Sequence, residues 1–193
     1  MKTAFNVLGV AGSTRTGSYS AQALKIALEY AKKQGAEVRL IEAGLPLYSP
    51  NAQASKEVER AAESVGWADA IILASPDYHG SMSGALKNFL DHFYEEFAGK
   101  LFGYIVASHE KGLTVMDQMR TAVRQCYGWS MPYGVSVSGP ADFSGGEIAN
   151  ARLSKRMQMM ARDLVVYGRL INSQFVRDIG SSEQDTFAAH YRP

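Results

Sequence analysis

What most constrains this chain is a fivefold alternation between short apolar runs and longer stretches of helical periodicity. Runs rich in β-branched and aromatic residues occupy 5–10, 38–41, 70–74, 102–107 and 133–137. Helical patterns follow them at 20–34, 55–65, 84–94, 114–127 and 148–170. The apolar runs do not alternate with polar residues, so each strand is expected to be buried on both faces. That is the condition of a parallel sheet covered by crossover helices. The pattern predicts an α/β three-layer sandwich with five parallel strands. Doubly wound sheets bind ligands at the carboxyl ends of their strands, beside the point where the strand order reverses. The loops at 12–20, 75–84 and 108–112 are therefore the places to look for chemistry.

A chain of 193 residues is expected to form one domain. We place it at 1–179, with 139–146 as a surface loop and 180–193 as a mobile or partner-docked tail. Twenty Lys and Arg against nineteen Asp and Glu leave a net charge of +1, with the basic residues scattered. That balance gives no support to nucleic-acid or membrane-surface binding. The single cysteine, Cys126, excludes an intramolecular disulfide framework and a cysteine-based metal cluster within one chain. It suits a reducing cytoplasm. The opening stretch at 1–12 has a short apolar run broken by Asn6 and Gly9, and is read as a buried strand rather than a leader. No apolar stretch approaches the roughly 20 residues that cross a bilayer, so a soluble protein is expected.

The first loop, Gly12-Ser13-Thr14-Arg15-Thr16-Gly17-Ser18-Tyr19-Ser20, joins the first strand to the first helix. A helix start offers unpaired N–H groups and the positive end of the helix dipole, and here hydroxyls and Arg15 converge on it. This is the chemistry of a phosphate cradle, although Ser13, Thr16 and Ser18 could equally serve as ordinary helix caps. Gly12 and Gly17 have the spacing of the triphosphatase loop G-x-x-x-x-G-K-[ST], but Ser18 stands in the lysine position. The third strand also ends in Leu73-Ala74-Ser75, without a magnesium-binding aspartate. The dinucleotide pattern G-x-G-x-x-G is absent as well, since two residues separate Gly9 from Gly12. A site for one terminal phosphate remains.

The second loop reads Ser75-Pro76-Asp77-Tyr78-His79-Gly80-Ser81-Met82-Ser83-Gly84-Ala85-Leu86-Lys87-Asn88-Phe89-Leu90-Asp91. Pro76 fixes the exit from the strand, Gly80 permits close backbone approach, and Tyr78 offers an aromatic face. With both loops in view, the sequence resembles the NADPH-dependent FMN reductase family, flavodoxin-like flavoproteins that include quinone, azo-dye and chromate reductases. Gly12, Ser13, Arg15 and Ser18 match that family's approximate G-S-x-R-x-x-S. Pro76, Tyr78, Gly80, Ser81, Gly84, Leu86, Lys87, Asn88 and Asp91 match its P-E-Y-N-G-S-x-x-G-x-L-K-N-x-x-D.

The resemblance implies the flavodoxin-like strand order 2-1-3-4-5 and an FMN cofactor. Its phosphate would be held by Ser13, Arg15, Ser18 and Ser20, with Tyr19 beside them as a further cofactor-binding residue. Its isoalloxazine ring would be lined by Pro76, Asp77, Tyr78, His79, Gly80 and Ser81, with Ser108 from the third loop. Asp77 stands where the family has Glu, and His79 where it has Asn. His79 is read first as a positional substitute and second as a proton donor. Lys87, Asn88 and Asp91 are assigned no catalytic role.

In the third loop, Ser108-His109-Glu110-Lys111-Gly112 replaces the family's Gly-rich turn S-x-G-G-x-G-G, keeping only Ser108 and Gly112. Side chains here would narrow or re-aim the nicotinamide side of the ring. Lys111 is a solvated loop charge before it is a contact for an anionic substrate. Glu95 and Glu96 adjoin one another and do not form a catalytic carboxylate pair. Met157, Met159 and Met160 read as core or subunit interface, and Cys126 as buried and inert. His92, His109 and His190 lack a metal-ligand pattern, so no metal site is expected.

The function expected is that of an FMN-dependent oxidoreductase. It would take hydride from NADPH or NADH and pass electrons to a small acceptor such as free flavin, a quinone, an azo compound or an oxyanion. The resemblance also implies a homodimer or homotetramer. The rival readings are a flavodoxin-like electron carrier, against which the balanced charge argues, and a regulatory FMN-binding protein without nicotinamide turnover.

Overall fold

A computed structural model of the protein describes residues 4–192. The first three residues of the expected opening strand segment, and the final Pro193 of the expected tail, lie outside the described residues. The elements run β1 (Phe5–Ala11), α1 (Tyr19–Lys33), β2 (Ala36–Glu42), α2 (Lys56–Trp67), β3 (Ala70–Pro76), α3 (Gly84–Asp91), β4 (Leu101–Ala107) and α4 (Leu113–Gln125). They continue with β5 (Trp129–Ser130), β6 (Val135–Val137), a short hairpin of β7 (Phe143–Ser144) and β8 (Glu147–Ile148), and α5 (Ala151–Ile179).

The sheet order is β2-β1-β3-β4-β5, all parallel, with β6 also paired to β4. This is the doubly wound, flavodoxin-like order, whose reversal lies between β1 and β3. Period-two alternation assigns each strand to both layers at once. In β1, Val7 and Ala11 join one core with α1 and α5, while Leu8 and Val10 join the other with α2, α3 and α4. β3 repeats this with Ala70, Ile72 and Ala74 on the first side and Ile71 and Leu73 on the second. β1 and β3 are buried throughout, which explains why neither run alternates with polar residues.

The fifth sheet position departs from the expected single strand at 133–137. It is shared by β5 and β6, and Tyr133 belongs to neither. Pro132 between them has no N–H to give to β4. The Gly134 carbonyl instead accepts from Arg156 Nε on α5 at 2.9 Å, so the ladder breaks and resumes. The expected third helix at 84–94 ends at Asp91. The last helix starts at Ala151 rather than 148, where Asn150 Oδ1 accepts from the N–H groups of Arg152 and Leu153 at 3.1 and 3.2 Å. It runs nine residues beyond the expected 170, to Ile179. The 139–146 segment holds a 3-10 turn, Pro140–Asp142, and half of the β7–β8 hairpin.

After α5 the chain folds back on the end of that helix. Phe187 stacks on Phe175 with centroids 5.4 Å apart, Ala188 is buried, and the Arg192 guanidinium donates to the carbonyls of Asp178, Ile179 and Glu183. The segment expected as a tail thus makes its described contacts with its own chain.

Candidate functional site

Four loops leave the carboxyl ends of β1, β3, β4 and β6 and enclose a cavity of about 530 Å³. Small-molecule sites are typically about 300–1,000 Å³. Of the residues expected from sequence, the cavity brings together Ser13, Arg15, Ser18, Tyr19, Pro76, Asp77, Tyr78, His79, Gly80 and Ser108. It does not bring in Ser20 or Ser81. Ser20 is fully buried beneath the first loop, its hydroxyl 2.8 Å from that of Ser18. Ser81 turns to α4, where its hydroxyl donates to Gln118 Oε1 at 2.9 Å.

The first loop begins at a point of close packing. Gly12 N–H donates to the Ala74 carbonyl at 2.7 Å, and a Cβ on Gly12 would lie 2.7 Å from that oxygen and 2.9 Å from Leu86 Cβ. Only glycine lets β1 and β3 come together here and release the loop into the cavity. Ser83 secures the junction from behind. Its hydroxyl donates to the Gly12 carbonyl, its N–H donates to Ser75 Oγ at 3.0 Å, and its Oγ accepts from Leu86 N–H at 3.1 Å.

Beyond the junction, Ser18 occupies the position before α1 with extended backbone but makes no side-chain cap bond to that helix, and the first turn carries no acidic residue. The capping role considered from sequence for Ser13, Thr16 and Ser18 is thus not what Ser18 performs. Ser18 and Tyr19, at the head of α1, line the cavity together with Arg15 and the buried Ser13. Such a donor set suits a terminal phosphate.

The second loop is a tight turn. Tyr78 and Ser81 exchange N–H···O bonds of 3.0 and 3.1 Å, and between them His79 and Gly80 both have positive φ, 58° and 75°. Two consecutive left-handed residues define a turn for which Asn-Gly is the favoured pair. Histidine shares with Asn an enrichment at positive φ, which gives the replacement at 79 a backbone reason. Asp77 is committed to holding loops together. Its Oδ1 accepts from Gly80 N–H at 2.8 Å and its Oδ2 from the Ser108 hydroxyl at 2.7 Å, while Ser108 Oγ accepts from Glu110 N–H at 3.0 Å. The Tyr78 ring stays half exposed over the cavity.

The third loop contributes His109, Glu110 and Gly112 to the cavity lining and α4 adds Thr114, whereas Lys111 is exposed and outside the lining. Ser138 and Gly139, after β6, complete the wall. Sequence reading missed this last segment by treating it as surface, although the rule that ligands sit at strand carboxyl ends applied to it equally. The buried Asp142 shapes it by accepting from Ser138 N–H at 2.6 Å. The Tyr19 ring lies against Gly139 and stacks on Phe143 at 5.5 Å, tying the first loop to the last.

The remaining motif residues are structural. Lys87 pairs with Asp91 along α3. Asn88 accepts from Tyr48 N–H at 2.8 Å and donates to the Leu45 and Pro46 carbonyls at 3.1 and 3.0 Å, clamping the loop after β2. Cys126 is partly buried, and burial first, then the charges of Asp91 and Glu96, raises its thiol above the ordinary value, which disfavours the reactive thiolate. Among the described residues no cluster of His, Cys, Asp or Glu could hold a metal ion, and no helix is long and apolar enough to cross a membrane.

Fold and site together define a flavodoxin-like α/β domain with a cavity at its switch point. The model of one family, described as NADPH-dependent FMN reductase, matches residues 5–142, and the chain belongs to that family. It is 39% identical over 95 residues to an NAD(P)H-dependent FMN reductase of Pseudomonas aeruginosa, covering 47% of this chain and 51% of that protein. It is 35% identical over 100 residues to an NADPH azoreductase of a Bacillus species, covering 49% and 56%. The chain thus spans about half the length of the curated relatives it matches. Among solved structures, an oxidoreductase from Corynebacterium diphtheriae superposes with a TM-score of 0.75 at 19% identity, covering 88% of this chain and 98% of that one.

Proposed function

We propose that the chain is an FMN-dependent NAD(P)H oxidoreductase acting on a small acceptor. The observation that carries this reading is the uncapped head of α1, opening with Arg15 into the same cavity as the Tyr78-His79-Gly80 turn. The α1 amides, Ser13, Arg15 and Ser18 would hold the phosphate of FMN, and Pro76 to Gly80 with Ser108 would line its ring. Bound FMN would supply the redox chemistry, taking hydride from the nicotinamide and giving electrons to the acceptor. The protein's own part is to bind, orient and shield. Tyr19, fixed against Gly139, closes one side, while the Asp77–Ser108 bond keeps the ring-side loops in register. Relatives named for FMN, azo and quinone reduction favour an acceptor class of flavins, quinones or azo compounds.

A second reading, FMN binding without nicotinamide turnover, is favoured by one feature: His109 and Glu110 line the cavity where the family's Gly-rich turn carries glycines. Anaerobic titration separates the two. Purified protein reconstituted with FMN is expected to bleach at the flavin absorption band on adding NADPH or NADH, and to recover colour with a quinone. Bound FMN that neither nucleotide bleaches would establish the second reading, and failure to take up FMN at all would sink both.

We further propose a cytoplasmic homodimer or homotetramer. Leu47 is 86% exposed at the tip of a loop that Asn88 and His92 hold rigid, which suits a contact with a second copy. Sedimentation should return a multiple of the 21.0 kDa chain, and Leu47→Asp should shift it towards monomer.

A further inference from the structure

The ring-side turn is gripped by a side chain from a helix that neither sequence motif includes. Gln118, on α4, accepts at Oε1 from the Ser81 hydroxyl at 2.9 Å and from Met82 N–H at 3.3 Å, and donates from Nε2 to the Gly80 carbonyl at 3.3 Å. Asp77 holds the same turn through Gly80 N–H. Thr114, one helical turn before Gln118 and so on the same face of α4, lines the cavity itself.

Within the turn the amides are nearly all committed. Tyr78 and Ser81 N–H serve each other's carbonyls and Gly80 N–H serves Asp77, which leaves His79 N–H without an acceptor among the described residues. A turn with two left-handed residues is one of several conformers open to a short loop, and its position depends on such anchors. Because hydrogen bonds to a flavin ring tune its electronics, whatever fixes this turn also fixes the donor it can present.

We infer that Gln118 is a positioning residue for the flavin site: by holding the 78–81 turn it sets how the free His79 N–H and the Tyr78 ring meet the isoalloxazine, without touching the cofactor. This rests on the FMN reading above. Gln118 is exposed, so replacing it removes the grip without opening the core.

The experiment compares wild type, Gln118→Met, Ser81→Ala and the double variant by FMN titration, by the flavin midpoint potential and by melting of FMN-free protein. Gln118→Met is expected to weaken FMN binding about tenfold, the scale of one or two hydrogen bonds. It should also shift the midpoint potential while moving the FMN-free melting temperature by less than roughly 2 °C. The double variant should lose less than the sum of the single losses, because the two residues share one bond. Wild-type affinity and potential in Gln118→Met would overturn the inference, as would additive losses accompanied by a matching fall in melting temperature. If wild-type protein takes up no FMN, the FMN reading itself fails and takes this inference with it.

Discussion

Helices α1 and α2 begin alike in sequence and differently in structure. Each follows a serine in extended backbone, Ser18 and Ser55, yet only Ser55 caps its helix, accepting from Val58 N–H at 3.4 Å. α2 adds Glu57 and Glu59 in its first turn, whereas α1 has no acidic residue there. Hydrogen bonding to Ser55 and to its own backbone amide holds the Glu57 carboxyl below its ordinary value. α2 therefore satisfies one of its first amides and complements its dipole from within, while α1 does neither with its own side chains. The head of α4 is similar to that of α1: Gly112 precedes it without a side-chain cap or a first-turn acid, and Gly112 lines the same cavity. α2 closes its own start with a side chain, whereas α1 and α4 leave theirs open beside the cavity.

The sharpest way to break this comparison is to make α1 resemble α2. Ser18→Asp would supply a capping carboxylate and a negative charge where the phosphate of FMN is proposed to sit. FMN affinity is expected to fall at least about 100-fold, since an occupied head and like-charge repulsion act together. The melting temperature of FMN-free protein should hold or rise as the helix gains its cap. Equilibrium titration and thermal melting of one preparation check both halves. Undiminished FMN binding would show that the phosphate does not use this helix.

The opposite substitution should touch stability alone. Ser55→Ala removes the α2 cap and is expected to cost about 0.5–1 kcal/mol, at the lower end of the range for caps because the bond is long. Chemical denaturation should report that loss with FMN affinity unchanged. As pH falls through the carboxylate range, wild type should lose the Glu57 contribution. A depressed carboxyl stabilises the fold above its unfolded value, and protonation removes that stabilisation. In Ser55→Ala the same pH decline should be smaller, because the hydroxyl that lowers the Glu57 carboxyl is gone. An equal decline in both proteins would place its origin elsewhere.

The two helix heads also mark where sequence reading works and where it stops. Ser18 and Ser55 both look like caps, and the serines themselves do not distinguish the two heads, although only α2 carries acidic residues in its first turn. The difference came from neighbours in the motif, Gly12 and Arg15, which pointed to phosphate. The sheet was legible because β1 and β3 are buried on both faces and so leave unbroken apolar runs. The division of the fifth position between β5 and β6 depends on Pro132 denying a hydrogen bond to β4 and on Arg156, more than twenty residues later, taking the Gly134 carbonyl. Ten of the twelve expected site residues line the cavity because they sit at strand ends, which the pattern fixes. Ser20 and Ser81 do not, because each hydroxyl is turned to a protein partner. Ser138, Gly139 and Gln118 were missed since they reach the site from segments where local sequence carries no motif.

The smallest expected effect tests the comparison without any flavin. If the head of α1 is an open anion site, inorganic phosphate alone should stabilise the FMN-free protein by binding the folded form only. At a concentration near its dissociation constant, the gain is on the order of 0.4 kcal/mol, or roughly 1–2 °C in melting temperature for a domain of this size. Chloride at matched ionic strength should give less, because screening acts on all surface charges while phosphate gains the amides and the Arg15 guanidinium together. Arg15→Ala should abolish the phosphate increment, whereas Ser55→Ala should lower the baseline and leave the increment intact. An increment that survives Arg15→Ala would mean that phosphate stabilises by general ionic effects, and that the open head of α1 does not distinguish it from α2.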